Sequence, residues 1–395
     1  ENKDKINFFK NKKNTKFEFD SSIEIDQNIL NINILDFKVD ENSKTTIKIK
    51  GSKEFKKDLK LDLISLEENS NKIFIKNLIL DQNLKIIDLD QLSIDVLDKK
   101  NNINQFSIVK KNKNYFLKGQ SFNVDNLLES FLEEKDTKKI FNKNFKIFIQ
   151  VEKLILDENF KLKNFKGDLH IKNQEIINGN LQGLFSKQKK LNFTIKTKDN
   201  KKITTLFLDE AKAIVSRYKF IKGFEGGKLD FSSSKQNGIS VSKLKIYDFN
   251  LKELPILTKL LTLASLKGIA DLVSGDGIAF DEFEMSFKNS KNLMTIDEIY
   301  AIGPAISILM DGYVEKNKLV SLRGTLVPAT TINKAIGSIP ILGQILVGSK
   351  TGEGVFGVSF KIKGPPKNLE TTVNPIKTLT PRFITRTLEK IKKAN

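Results

Sequence analysis

The sequence predicts a mainly β chain with a few helices, built as an elongated antiparallel sheet. Three observations carry that expectation. Apolar and polar residues alternate with period two over many short runs, polar clusters separate the runs, and only a few segments space their apolar residues by three and four. With 395 residues and 39% apolar content, the chain is long enough for two domains or one extended body with a sizeable core.

The first segment, 1–205, reads as a repetitive β-meander. Phe17, Phe19, Ile23 and Ile25 alternate with Glu18, Asp20, Ser22 and Glu24, which places the apolar set on one face of a strand. The alternation returns at Ile47 and Ile49, at Leu92, Ile94 and Val96, at Phe145, Ile147 and Ile149, and at Phe193 and Ile195. Polar clusters at 40–43, 98–102 and 198–201 read as hairpin turns. One helix interrupts the meander near 124–134, capped by Asn123 or Asp125, with Leu127, Leu128, Phe131 and Leu132 on one stripe. So many one-sided strands must close on themselves, pair with a second sheet or hold an apolar ligand, and the pattern is compatible with each.

The second segment, 206–395, changes character. A helix carrying Leu208, Ala211, Ile214 and Val215 leads through Gly223 to Gly227 into a strand at 228–232, and another strand comes at 243–249. An amphipathic helix at 254–273, with Pro255 in its first turn, stops at the Gly275 and Gly277 turn. Strands are expected at 279–287, 293–301, 306–313 and 319–327, then a helix at 331–347 broken by Gly337 and Pro340. A last strand at 355–363 puts Phe356, Val358, Phe360 and Ile362 on one face before the glycine-proline stop at 364–366.

Charge and composition exclude several function classes. The net charge is +19, yet the lysines are scattered among acids, as in Lys48, Lys50, Lys53, Glu54, Lys56 and Asp58. No dense basic run is interleaved with stacking aromatics, so a nucleic-acid partner is not expected, and a solvated basic face near anionic lipid heads fits better. With no cysteine, disulfides and thiolate metal sites are excluded. The single histidine, His170, lies in an alternating run and reads as structural or exposed. The stretch 343–351 misses a phosphate-binding loop because Ser349 separates Gly348 from Lys350. Asp209 with Glu210, and Asp281 with Glu282 and Glu284, lack the spacing of calcium ligands or a catalytic pair. No enzyme, cofactor or metal is expected. No apolar run reaches about 18 residues, and the chain begins at Glu1 with neither an initiator Met nor a signal peptide.

The punctuating motifs of the second segment occur in a fixed order: 220–229 with its glycine pair, 254–261, 268–280, Gly303-Pro304, 324–328, 339–343, 373–376 and 380–383. In order and spacing they resemble the C-terminal module of the AsmA-like family of Gram-negative envelope proteins, which includes the AsmA, TamB and YhdP types. The resemblance covers nearly half the chain closely, and the rest through its strand pattern alone. It implies a sheet curled into an apolar groove, with amphipathic helices near the C-terminal end, that carries phospholipid between inner and outer membranes and supports outer-membrane biogenesis. It further implies a periplasmic location and inner-membrane anchoring by a segment upstream of Glu1. The basic stretch 381–393 reads as a solvated tail or as a contact for anionic lipid or for an outer-membrane or periplasmic partner at the C-terminal end. The candidate groove lining is Phe17, Phe19, Ile23, Ile25, Phe145, Ile147, Ile149, Phe356, Val358, Phe360 and Ile362. A TamB-like scaffold for outer-membrane protein assembly is the alternative.

Overall fold

In the computed structural model, the described residues are 5–13, 15–26, 30–39, 43–132, 143–173, 175–217, 222–253, 277–328, 357–366 and 368–376. The chain forms two compact units, Glu1–Thr197 and Lys198–Asn395. Hydrogen bonding assigns 22 strands to one open, mostly antiparallel sheet and two short strands to a separate ladder.

In the N-terminal unit, β1 (Lys5–Lys13) and β2 (Lys16–Asp26) form the first hairpin. A short insert comes next, with β3 (Asn31–Ile32), a 3₁₀ turn (Asn33–Leu35) and β4 (Phe37–Lys38). The chain then meanders through β5 (Lys44–Glu54), β6 (Leu59–Glu68), β7 (Asn71–Leu80), β8 (Ile86–Asp88), β9 (Gln91–Leu97), β10 (Ile103–Lys111) and β11 (Asn114–Asn123). The abundant asparagine has a structural use here. Asn69, Asn101, Asn112 and Asn173 take the left-handed conformation that tight turns require and that most side chains resist.

The expected helix is α1 (Asp125–Leu132), and the Asn123 side chain accepts the Asp125 N–H at 3.0 Å. Beyond α1 the unbroken antiparallel meander expected from the sequence gives way to a crossover. β12 (Phe145–Ile155) runs parallel to β11, because the chain leaves β11 at one margin of the sheet and starts β12 at the other. The antiparallel order resumes with β13 (Lys161–Lys172), β14 (Glu175–Leu184) and β15 (Lys190–Lys198).

The β3–β4 insert caps the margin where α1 starts. Leu35, Phe37 and Val39 are buried, Phe37 to 0% exposure. Polar contacts hold the insert in place: the Lys99 N–H donates to the Asp36 carbonyl at 2.9 Å and the Asn126 amide to the Asn33 carbonyl at 2.6 Å. The opposite margin carries the tight β1–β2, β5–β6, β10–β11 and β13–β14 hairpins.

The C-terminal unit holds β16 (Lys201–Leu208), the single turn α2 (Lys212–Val215), β17 (Lys222–Gln236) and β18 (Ile239–Glu253). It continues through β19 (Ile278–Ser290), β20 (Leu293–Ile302), β21 (Ile306–Glu315), β22 (Leu319–Pro328), β23 (Gly357–Gly364) and β24 (Glu370–Ile376), with antiparallel pairing from β18 to β24. Two expectations shift. Leu208 ends β16 beside Leu229 instead of opening the helix. Gly226 and Gly227 lie inside β17 with φ of 73° and 83°, opposite Asp248 at 53°, so they kink a long strand where a loop was expected. The expected helices at 254–273 and 331–347, the stretch 343–351, Phe356 and the basic segment 381–393 lie outside the described residues.

Truncating Phe37 to Ala is expected to destabilise the N-terminal unit by about 3–4 kcal/mol through the cavity left under the cap. Urea unfolding followed at a probe in that unit checks this, and a shift below about 1 kcal/mol would show that the insert is not part of the core.

Candidate functional site

Successive side chains on a strand point to opposite faces, so cross-strand register decides which of them meet. In the N-terminal unit the register carries one apolar face from strand to strand. Ile23 lies beside Ile47, then Leu66, Ile73, Ile94 and Phe106 come in turn. The next row is Ile49, Ile64, Ile75, Leu92, Ile108, Leu117 and Ile149. Phe17, Phe19, Ile25, Phe145 and Ile147 belong to the same face: Phe19 and Ile147 both pack against a buried cluster of Leu61, Leu78, Leu89 and Tyr115. Phe17, Phe19, Ile23, Ile25, Phe145, Ile147 and Ile149 are all only partly buried.

The C-terminal unit repeats the arrangement. Phe360 lies beside Gly324, which continues through Met310, Ile299, Met285, Leu244 and Phe231 to Leu206. Val358 and Ile362 head the flanking rows, next to Leu326 and Leu322. These three lining candidates are well buried, at 2% for Val358, 3% for Phe360 and 5% for Ile362. Gly324 is a flat place for the Phe360 ring: a Cβ there would stand 2.7 Å from the Phe360 ring edge and 2.5 Å from the Leu309 carbonyl.

Several members of this face were missed by reading single strands. Leu59 and Leu61 keep one phase of the alternation and Ile64 and Leu66 the other, and a bulge between Lys50 and Gly51 brings both pairs inward. Met285, Met310 and Leu244 join the face through the pairing of their strands. Only the pairing of adjacent strands finds them.

The two margins of the N-terminal apolar face differ in chemistry. At the capped margin the face ends in buried polar side chains: Thr45 at 0%, Glu68 at 2%, Asp98 at 4% and Asn104 at 0% exposure. Ser43 and Asn71 donate to the Glu68 carboxylate, and Asn123 donates to Asp98 at 2.6 Å. At the hairpin margin, Asp88 collects Lys110 at 2.6 Å, the Tyr115 hydroxyl at 3.0 Å, the Leu89 N–H at 3.0 Å and Lys143 at 3.3 Å. Partial burial works to raise the Asp88 carboxyl, but these donors outweigh it and hold the carboxyl down at about 2. Burial pushes the Tyr115 phenol up, and the neighbouring Asp88 charge adds to that. The Tyr115 ring meets Phe145 edge-on at 5.2 Å, so the cluster abuts the apolar rows.

Other candidate groups are accounted for structurally. His170 sits on the polar face of β13 beside Lys146 and Asn178. Glu284 is held by Lys243 at 2.9 Å and Lys245 at 3.0 Å. Among the described residues no cluster of three His, Cys, Asp or Glu side chains has metal-binding geometry. A shallow, open depression of about 520 Å³ lies mainly over polar side chains, including Ser93, Asp95, Gln105 and Gln150.

A carboxyl held low in the folded state stabilises above its ordinary value of 3.8 and loses that contribution as pH falls toward about 2. Asp88→Asn should therefore cost about 2 kcal/mol at pH 7, and the gap from the parent chain should narrow steadily below pH 4. Urea titrations of both proteins at pH 7 and pH 2.5 measure it; an equal gap at both pH values would contradict this account.

Compared with known proteins, the chain matches no family model, no curated sequence and no solved structure.

Proposed function

We propose that this chain is a non-enzymatic lipid carrier of the Gram-negative envelope, working in the periplasm. Its apolar face would form a groove that shields the acyl chains of phospholipid moving between inner and outer membranes, in support of outer-membrane biogenesis. One observation carries the reading: in each unit, registered apolar rows cross strand after strand on one face. In the N-terminal unit Ile49, Ile64, Ile75, Leu92, Ile108 and Ile149 on that face are only partly buried, while Ile73, Ile94, Phe106 and Leu117 in the same rows are buried. A sandwich or closed core covers such a face with a second apolar layer and brings its side chains close to zero exposure. An acyl chain is the occupant that gains most from a long, dry, non-directional surface, at about 0.8 kcal/mol per methylene buried. The ordered AsmA-like motifs of the second segment support the same reading.

A second reading, a TamB-like scaffold for outer-membrane protein assembly, is favoured by β1. This strand pairs with β2, and Ile6, Phe8 and Phe9 are 67%, 60% and 66% exposed, which suits the addition of a partner strand.

The lipid reading is tested by extracting the purified full chain with organic solvent and analysing the extract by mass spectrometry. Phospholipid should copurify, and Ile64→Glu with Ile108→Glu should lower its amount several-fold in a protein that keeps its β circular dichroism. A folded double variant that carries as much lipid as its parent would overturn the proposal. Absence of lipid combined with crosslinking to an outer-membrane barrel precursor would favour the scaffold.

A further inference from the structure

The β1–β2, β5–β6 and β7–β8 turns of the N-terminal unit stand side by side, because β2 pairs with β5 and β6 with β7. Two hydrogen bonds tie the turns to one another. The Phe55 N–H donates to the Thr15 carbonyl at 3.2 Å, and the Gln82 amide donates to the Lys56 carbonyl at 2.9 Å. From this ridge two large apolar side chains project into water: Phe55 is 73% exposed and Leu84 is 68% exposed. Behind them Leu59, Leu80 and Ile86 pack against the buried cluster of Leu61, Leu78, Leu89 and Tyr115, so the apolar face runs out to the ridge.

Leu84 is an unusual residue for its place. Its φ of 61° lies in the left-handed region that bulky side chains resist, and among the described non-glycine residues it is the one apolar side chain there. Other turns give that conformation to asparagine, as at Asn69, Asn101 and Asn112. The β7–β8 turn is braced to hold the leucine outward. The Asp81 carboxylate accepts the Asn83 and Lys85 N–H groups at 2.8 and 2.9 Å, and the Asp81 carbonyl accepts the Leu84 N–H at 3.0 Å. The β5–β6 turn is closed in a similar way, with the Lys57 N–H on the Glu54 carbonyl at 3.1 Å and the Lys53 ammonium on the Lys57 carbonyl at 2.5 Å. These backbone groups are satisfied within the protein, which lowers the cost of taking the two tips out of water.

The surroundings of the two tips are basic on balance. With one strand residue taken beyond each turn's flanking strand ends, the segments 12–17, 53–60 and 79–87 carry eight lysines and three carboxylates. Two of those carboxylates are occupied locally, Glu54 by Lys57 at 2.7 Å and Asp81 by the backbone of its own turn. The Lys56 ammonium stands 5.5 Å from the centre of the Phe55 ring. We infer that this ridge docks on the surface of an anionic bilayer, with Phe55 and Leu84 entering the headgroup boundary and the lysines meeting lipid phosphates. Two apolar points on convex turns, ringed by cations, fit a surface that yields around them, whereas a folded protein partner would have to present a pocket for each. The apolar side chains supply depth of insertion and the positive balance supplies the preference for anionic lipid. Docking brings the margin of the apolar face to the membrane, and it does not require that the face itself carry lipid.

The test mixes the full chain with vesicles of equal phosphatidylcholine and phosphatidylglycerol, or of phosphatidylcholine alone, and measures the bound fraction by flotation. The parent chain should float with the mixed vesicles and several-fold less with phosphatidylcholine. Phe55→Ser combined with Leu84→Asn should lower binding to the mixed vesicles about tenfold. The urea midpoint should hold, since both side chains are exposed and asparagine accepts the backbone conformation at position 84. Leu97→Ser with Ile103→Ser removes another exposed apolar pair, 41% and 53% exposed on neighbouring strands, and should leave binding unchanged. No flotation of the parent chain, or equal flotation of the parent and the Phe55, Leu84 variant, overturns the docking. An equal loss in the Leu97, Ile103 variant overturns it too, by showing adhesion of apolar surface in general, and equal binding to both kinds of vesicle overturns the anionic preference. Docking is read on added vesicles and carriage on copurified lipid, so either can fail while the other stands.

Discussion

Cross-strand register is the constraint on which the rest of the molecule depends. A strand displaced by one residue turns its whole apolar set to the other face, so each hairpin must hold register to keep the face continuous. Asn112 in the β10–β11 turn and Asn237 with Gly238 in the β17–β18 turn supply the left-handed backbone that fixes it. Where the period-two pattern slips within a strand, bulges restore the phase, as at Lys50/Gly51, Gln105/Phe106 and Ser286/Phe287. The apolar face belongs to the pairing, and no single strand owns it.

Strand direction then sorts chemistry between the margins. In the N-terminal unit the β3–β4 cap and α1 interrupt the meander at the margin where β2 and β11 end, and the tight β10–β11 hairpin lies at the other. The parallel step between β11 and β12 preserves this sorting, because its connection leaves from the insert margin and returns the chain to the hairpin margin. The capped margin gives up exposure for hydrogen bonds, burying Asp98 beneath donors from Asn102 and Asn123. The hairpin margin keeps its charges at the water boundary, with Asp88 as the carboxylate that orders Lys110 and Lys143.

Period-two runs made much of the strand content legible in the sequence, because alternation reports directly on a half-buried strand. Strands around Phe17–Ile25, Phe145–Ile149 and Val358–Ile362 were placed that way, and α1 by its spacing of three and four. The Asp88 cluster was not legible. Lys110, Tyr115 and Lys143 stand 22, 27 and 55 residues from Asp88, and nothing local marks any of them. The parallel step was hidden for a related reason: an amphipathic helix gives the same signal whether the chain turns back or crosses over. Gly226 and Gly227 misled because paired glycines ordinarily end a strand, and in β17 they serve as its kink.

An open sheet whose apolar face is only partly buried is a liability in water, since both the face and its edge strands invite association. The basic residues of β1 answer part of this: an antiparallel copy centred on Phe9 would set Lys5 against Lys13, which disfavours self-pairing. The face itself has no such guard, because the rows from Ile23 and Ile49 carry no charge across the strands next to them. Whatever covers it stabilises the folded chain by mass action as well as occupying it. For this architecture, covering the apolar face and staying in solution are therefore one physical problem.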